Sequence, residues 1–222
     1  MFGDTEWLGY LRLMLEGAWV TIELTVLGCA FALVGAFFLG LCRLSRRPVV
    51  RALATIYIEF FRGSSIFVQL FWAYFVLPIA GVPLDPFATG VLVLGLNVSA
   101  YGAEVVRGAI LAVPREQREA SIAVNLTPYQ TMRHVILPQA VVIMLPTFGN
   151  NAIELLKATA VVSLISLADL TFQTQVVRLQ TGYTALPFIG ALLIYFAISL
   201  VITHSVRRIE SRMSAGLDVT KA

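Results

Sequence analysis

Charge is what this chain has least of. Only 13% of its 222 residues are Asp, Glu, Lys or Arg, while 58% are hydrophobic; a soluble domain carries roughly 25% charge. Such a composition cannot clothe a water-soluble surface. Cysteine is nearly absent, and Cys29 and Cys42 share one apolar run at a spacing that suits neither a disulfide framework nor a metal. The only histidines, His134 and His204, have no Cys, His or carboxylate partners at ligand spacing. No GxxxxGK[ST] occurs, so no phosphate cradle is encoded. Ser/His/Asp, HExxH and Cys/His constellations are missing as well, and the carboxylates in apolar stretches have cationic neighbours that favour ionisation over general-acid work. These absences argue against an enzyme. The net charge of +3 sits in short clusters between apolar runs, which is no nucleic-acid footprint.

What is there is hydrophobic length. Five stretches, about Ala18 to Cys42, Leu53 to Ile79, Phe87 to Ala112, Val135 to Val162 and Pro187 to Ser205, each meet the roughly 20 residues a spanning helix needs. The expectation is an all-α integral membrane protein with one domain over 1–222. Asp4, Glu6, Glu16 and Glu23 precede or enter the first run, which is too long and too acidic at its start for a cleaved signal. Basic clusters follow alternate spans: Arg43, Arg46, Arg47 and Arg51; Arg115, Arg118 and Arg133; Arg207, Arg208, Arg212 and Lys221. Lys/Arg bias therefore predicts an outside N-terminus and a cytoplasmic C-terminus.

Ionisable groups in hydrocarbon cost roughly 2.5 to 3.5 kcal/mol each on insertion scales. This chain has three pairs at one spacing, Glu59 with Arg62, Glu104 with Arg107, and Glu154 with Lys157, and residues three apart share a helix face. The first two lie toward the cytoplasmic side and read as gate or structural pairs. Glu154 falls deeper, beside Asn150, Asn151 and Thr159, with Pro146 and Gly149 loosening the helix. Glu154, Lys157 and these three polar residues are the candidate solute path, against the plainer reading of bonds between neighbouring helices.

Two polar segments stand apart. VPREQREASIAVNLTPYQTMRHVILPQA should form two short helices: Pro114 opens the first, Asn125 tolerates the left-handed conformation that ends it, and Thr127 caps a second whose first position is Pro128. Between the last two spans, Ser166 to Tyr183 should form an outward-facing or partly re-entrant helix closed by Gly182.

The first of these segments resembles the cytoplasmic EAA loop of permeases from binding-protein-dependent ABC importers. Glu119, Ala120 and Ser121 stand at its EAA, Leu137 and Pro138 supply the distal Leu-Pro, and Asn125 replaces the family glycine. YIEFFRGSSIFVQLF, SAYGAEVVRGAI, VILPQAVVIMLPTFGN and LLKATAVVSLISLADL are similar to the polar-amino-acid branch in the same order, from about Tyr57 to Leu170. The resemblance implies the type I importer transmembrane fold, with 113–134 as a coupling loop that docks on a separate ABC ATPase carrying ATP and Mg. It further implies no cofactor on this chain, a second permease subunit, an extracytoplasmic solute-binding protein contacted near Asp169, Gln173 and Arg178, and residence in the inner membrane lipid. The solute would be an amino acid or related zwitterion; the LKATAV stretch leaves room for a specialised solute, and the chain resembles the ectoine and hydroxyectoine uptake branch. A channel-like or structural subunit without ATP coupling is the competing function.

Overall fold

The computed structural model describes residues 4–214, with side chains from Trp7 onward, so Lys221 and the side chains of Asp4 and Glu6 lie outside the described residues. All regular elements among them are helical. Helix α1, Asp4–Arg43, runs for 40 residues because the first proline comes only at Pro48. At 1.5 Å per residue it is about 60 Å long, twice the roughly 30 Å hydrocarbon layer. The expected span from Ala18 is its inner part, and the helix continues beyond it for more than three turns. Its main neighbour is α4, Pro86–Ala112, whose start is capped by Asp85 Oδ1 accepting from the Phe87 and Ala88 N–H groups at 2.9 and 3.0 Å. Lipid offers no hydrophobic drive between helices, so close backbone approach must hold them together. A Cβ on Gly40 would stand 2.7 Å from Val106 Cβ, and one on Gly102 2.7 Å from Ala36 Cβ.

The second expected span is not one helix. Helix α2, Pro48–Gly63, stops at Ser64, and α3, Ile66–Phe71, continues through a π turn at Trp72–Val76 and a 3₁₀ turn at Leu77–Ala80. The two halves meet at 103°. Hydropathy sees an unbroken apolar run here because it is blind to where backbone carbonyls find partners. Phe61 O, released at the corner, accepts from Asn97 Nδ2 at 3.0 Å and from Gln69 Nε2 at 3.1 Å. Gln69 Nε2 also donates to Ser64 Oγ at 2.7 Å, and Asn97 donates to Gln69 Oε1 at 3.1 Å. Broken backbone at membrane depth is tolerated only with such internal partners. Four helical stretches, 7–43, 86–112, 128–165 and 185–214, are long and apolar enough to span, and the bent pair makes five.

After α4 comes an elbow. Helix α5, Arg115–Ala123, ends with Asn125 at φ 57°. Asn125 N–H donates to Ile122 O at 2.9 Å and Leu126 N–H to Ser121 O at 3.0 Å, the paired bonds of a Schellman stop. Thr127 then caps α6, Pro128–Gln130, in a reciprocal box with Gln130. A π turn at Thr131–Ile136 leads into α7, Leu137–Ala158, which closes with a 3₁₀ turn at Thr159–Ile165. Helix α8, Leu170–Thr181, ends on Gly182 at φ 72°, and α9, Ala185–Ser214, completes the bundle.

The left-handed residue generates the first prediction. Asn125→Gly should leave the elbow folded, whereas Asn125→Val should destabilise it by about 1 to 2 kcal/mol; protease accessibility of the 113–134 segment in purified protein measures both.

Candidate functional site

The corner between α2 and α3 opens a cavity of about 320 Å³ lined by Ile66, Asn97, Val98, Tyr101, Asn151, Glu154 and Ala158. Its walls come from the first residue of α3, from Asn97 and Tyr101 one turn apart on α4, and from Asn151, Glu154 and Ala158 on one stripe of α7. Glu154 Oε1 accepts from Lys157 Nζ at 3.1 Å, and their side chains are 71% and 65% exposed on the open face of the chain. Lys157 itself lies along the adjoining groove with Ile153, Tyr195 and Ser199. The Arg62 guanidinium stands 5.5 Å over the Tyr101 ring, a cation–π contact at the cavity's edge. Buried Asn151 Nδ2 meets no acceptor among the described residues, a situation that costs about 1 to 3 kcal/mol.

Of the sequence candidates, Asn151 and Glu154 therefore share the cavity. Asn150 is exposed, next along the helix and turned about 100° away. Thr159 corrects the expectation: it is fully buried, with its hydroxyl donating to Leu156 O at 2.7 Å, and it does not line the cavity. Asn97 and Tyr101 were absent from the sequence reading. The available signal was a pair of polar-tipped residues at i and i+4 in the middle of α4.

Toward the end of the bundle where α1 stops and α2 starts, Glu104 takes two arginines. Arg43 Nε donates to Oε1 at 3.1 Å and Arg107 Nε to Oε2 at 2.9 Å. Arg43 also donates to Thr55 Oγ1 at 2.7 Å, so one carboxylate ties α1, α2 and α4. The sequence spacing identified only the Arg107 partner, because Arg43 read as a topology signal. Glu59 and Arg62 are farther apart, at 4.0 Å, and more exposed; Arg62 is engaged by Tyr101 as well.

On the elbow, Glu119 and Ala120 are exposed, while Ser121 is buried. Ser121 Oγ donates to Arg118 O at 2.7 Å and shares a 3.0 Å hydrogen bond with Thr131 Oγ1, joining the two arms. Ile122, Val124 and Tyr129 on the same elbow are exposed as well. Leu137 and Pro138 begin α7, past the π turn. At the other end, Asp169 is 0% exposed and accepts from the Phe172 and Thr171 N–H groups at 2.9 and 3.2 Å. It is the cap of α8 and cannot be an external docking contact; Gln173 and Arg178 remain partly exposed.

A helical membrane bundle with an open cavity lined by Asn97, Tyr101, Asn151 and Glu154 and a helical elbow between α4 and α7 has the parts of a transport subunit. The family described as "binding-protein-dependent transport system inner membrane component" matches residues 32–215, and the chain belongs to it. The chain is 45% identical, over 94% of its length and 90% of the relative's, to a probable amino-acid ABC transporter permease protein, y4tF, of Sinorhizobium fredii. It is 38% identical to the glutamine transport system permease protein GlnP of Escherichia coli, covering 91% and 94% of the two chains. Among solved structures, one of an amino acid ABC transporter with histidines superposes with a TM-score of 0.87 at 34% identity, over 96% and 99% of the chains. The inward-facing MetNI methionine ABC transporter shares the fold at a TM-score of 0.79 and 22% identity, over the same shares. The chain is an inner-membrane permease subunit of an ABC importer with the type I transmembrane fold, and the channel-like alternative falls away.

Burial of Asp169, outside the spanning segments, pushes its carboxyl up to about 6, against the opposing pull of the Phe172 and Thr171 N–H groups and of the Thr171 and Tyr195 hydroxyls. The folded state then binds more protons than the unfolded state between about pH 4 and pH 6. This contribution favours the fold below that window and is lost as pH rises through about 6. Asp169→Asn keeps the cap without the buried charge, so it should stabilise the protein by on the order of 2 kcal/mol at pH 7.5. The gain should shrink toward pH 5 in thermal melts of both proteins in nanodiscs.

Proposed function

We propose that this permease subunit moves an amino acid or a related small zwitterion, ectoine-like cyclic amidines included, through the cavity bounded by Asn97, Tyr101, Asn151 and Glu154. The observation that carries this reading is the carboxylate of Glu154 on an open cavity that Asn97, Tyr101 and Asn151 also line. Glu154 receives the cationic part of the solute, and Asn97, Asn151 and the Tyr101 hydroxyl surround the rest. The relatives named for amino-acid and glutamine transport support the same solute class. One copy provides only one wall, since Glu154 and Lys157 lie on an exposed face. A second permease subunit, identical or homologous, closes it.

The elbow at 113–134 is the coupling element. Glu119 and Ala120, with the exposed Ile122, Val124 and Tyr129, dock on a separate ABC ATPase that binds ATP and Mg; Ser121 and Asn125 hold the elbow's shape, and Leu137 and Pro138 hand its movement to α7. Closure of two ATPases shifts the bundle between inward-open and outward-open states, with tighter ATP binding to the closed state supplying the bias. The Glu104 hub with Arg43 and Arg107 braces the cytoplasmic end, and the Glu59–Arg62 pair steadies the corner above it. An extracytoplasmic solute-binding protein delivers the solute near α8, where Gln173 and Arg178 are the exposed polar contacts. The N-terminus is outside and the C-terminus cytoplasmic.

Two experiments test this reading. Added ATPase should bind inside-out vesicles but not right-side-out ones, and Glu119→Arg should abolish that binding and uptake while leaving insertion unchanged. Association with right-side-out vesicles reverses the orientation, and normal uptake by the variant removes the elbow from coupling.

The second separates solute recognition from charge pairing. Glu154→Gln alone leaves Lys157 without its carboxylate, and Glu154→Gln with Lys157→Met removes both charges. The double variant should assemble normally yet transport with affinity about ten- to a hundredfold weaker, as loss of a charged hydrogen bond of about 1.5 to 3 kcal/mol requires. Wild-type uptake by the double variant makes Glu154 a purely structural partner of Lys157.

A further inference from the structure

The three carboxylate–cation pairs at i, i+3 spacing are built differently. Glu104 is fixed, with one arginine on each oxygen and Arg43 bonded onward to Thr55. Arg62 stands 4.0 Å from Glu59 and is engaged by Tyr101 as well. The third pair has one contact: Lys157 Nζ donates to Glu154 Oε1 at 3.1 Å, and among the described residues neither charge has another partner. Both side chains are exposed, and a single-point pair on an open face is weakly held.

The two residues also belong to different surfaces. Glu154 shares a stripe of α7 with Asn151 and Ala158, which line the cavity. Lys157 stands about 60° round the helix and shares a groove against α9 with Ile153 and Ala160. Tyr195 and Ser199 are the hydroxyl-bearing residues of that groove. Ser199 Oγ donates to Phe196 O at 2.8 Å, which leaves its oxygen free to accept. The ammonium of Lys157 therefore has two places to rest, across on Glu154 or back in the groove.

We infer that Lys157 is the resting counter-ion of Glu154, displaced into the α9 groove when the cationic group of the solute takes the carboxylate. This rests on the assignment of Glu154 to the solute made above. A carboxylate at membrane depth needs a countercharge throughout a transport cycle. Lys157 supplies it while the cavity is empty, and the ammonium or amidinium of the solute supplies it while the cavity is full. Charge at Glu154 is conserved in the exchange, so only a solute that carries a cation completes it. A neutral or anionic solute would have to displace the lysine without replacing its charge. The exchange also limits how tightly a solute is held, because the competent cavity is only the fraction in which Lys157 has withdrawn. Lys157 is thus a positioning residue that acts through Glu154 on both selectivity and release.

Direct binding to the permease–ATPase complex in nanodiscs, without binding protein, reads the exchange by calorimetry. The probe is whichever of the common amino acids and ectoine the wild-type complex binds most tightly. Lys157→Met should bind it about two- to fivefold more tightly, the scale of one exposed ion pair. Saturated uptake, with binding protein present, should slow by a similar factor because nothing displaces the departing cation. Lys157→Arg restores a competing cation and should bind as wild type does. If Lys157→Met fails to assemble, Lys157→Gln removes the charge while its amide still reaches Glu154, and it should tighten binding to a smaller degree. A purely structural pair predicts unchanged or weaker binding in the neutral variants. That result, alongside weak binding by the double variant Glu154→Gln with Lys157→Met, overturns the exchange and leaves Glu154 as the solute's carboxylate. Wild-type affinity in both Lys157→Met and the double variant, or no binding of any probe by wild type, overturns the reading of Glu154 and the exchange with it.

Discussion

A bent helix inside a membrane must find partners for every backbone group the bend releases, and here that requirement is met by two amide side chains. Asn97 and Gln69 converge on Phe61 O, and Gln69 also holds Ser64. Without them the carbonyl would face hydrocarbon at a cost of several kcal/mol, and a straight helix through Ser64 would be favoured. The corner they permit sets Ile66 at the edge of the cavity that Glu154 lines.

The remaining architecture supports that corner from below. Close approach of α1 and α4, secured by Gly40 and Gly102, places Arg43 within reach of Glu104 and Thr55. α2 is thereby fixed at its lower end by charge and at its upper end by amides. Between these two ties its outer face, with Val49, Leu53, Ile56 and Phe60, is exposed. On the far side, α7 carries both ends of the proposed function: its first residues continue from the elbow, and its last two turns bear Asn151 and Glu154. One helix thus connects Leu137 and Pro138 with the cavity. Pro146 lies between them, where the missing N–H weakens that helix.

The elbow shows how a departure from a family pattern can preserve its physics. The stop after α5 needs a left-handed residue, which glycine adopts freely and asparagine at small cost. Asn125 takes φ 57° with both Schellman bonds in place. Asparagine here supplies the left-handed conformation that a glycine would also allow.

Much of this protein was legible from local signals alone. Hydrophobic length revealed the membrane class and the approximate spans, while caps and punctuation revealed the elbow residue by residue, since Pro114, Asn125, Thr127 and Pro128 act over one turn of chain. Gly182 closed α8 for the same reason. The i, i+3 charge pairs were legible too, because helical spacing is a property of sequence. What required the tertiary structure depended on groups far apart in the chain: Arg43 reaching Glu104, Asn97 bonding Phe61 O, and Tyr101 meeting Arg62. The bend at Ser64 belongs with them in part, for Asn97 on α4 bonds Phe61 O alongside the local Gln69. Thr159 and Asp169 looked like polar residues available for contact, and packing turned both inward to backbone partners. Sequence by itself determined which segments are helical and which of them enter the membrane, because those follow from periodicity and hydrophobic length. Only the fold decided which polar groups face a cavity and which satisfy the backbone, because that choice depends on the helix that packs opposite.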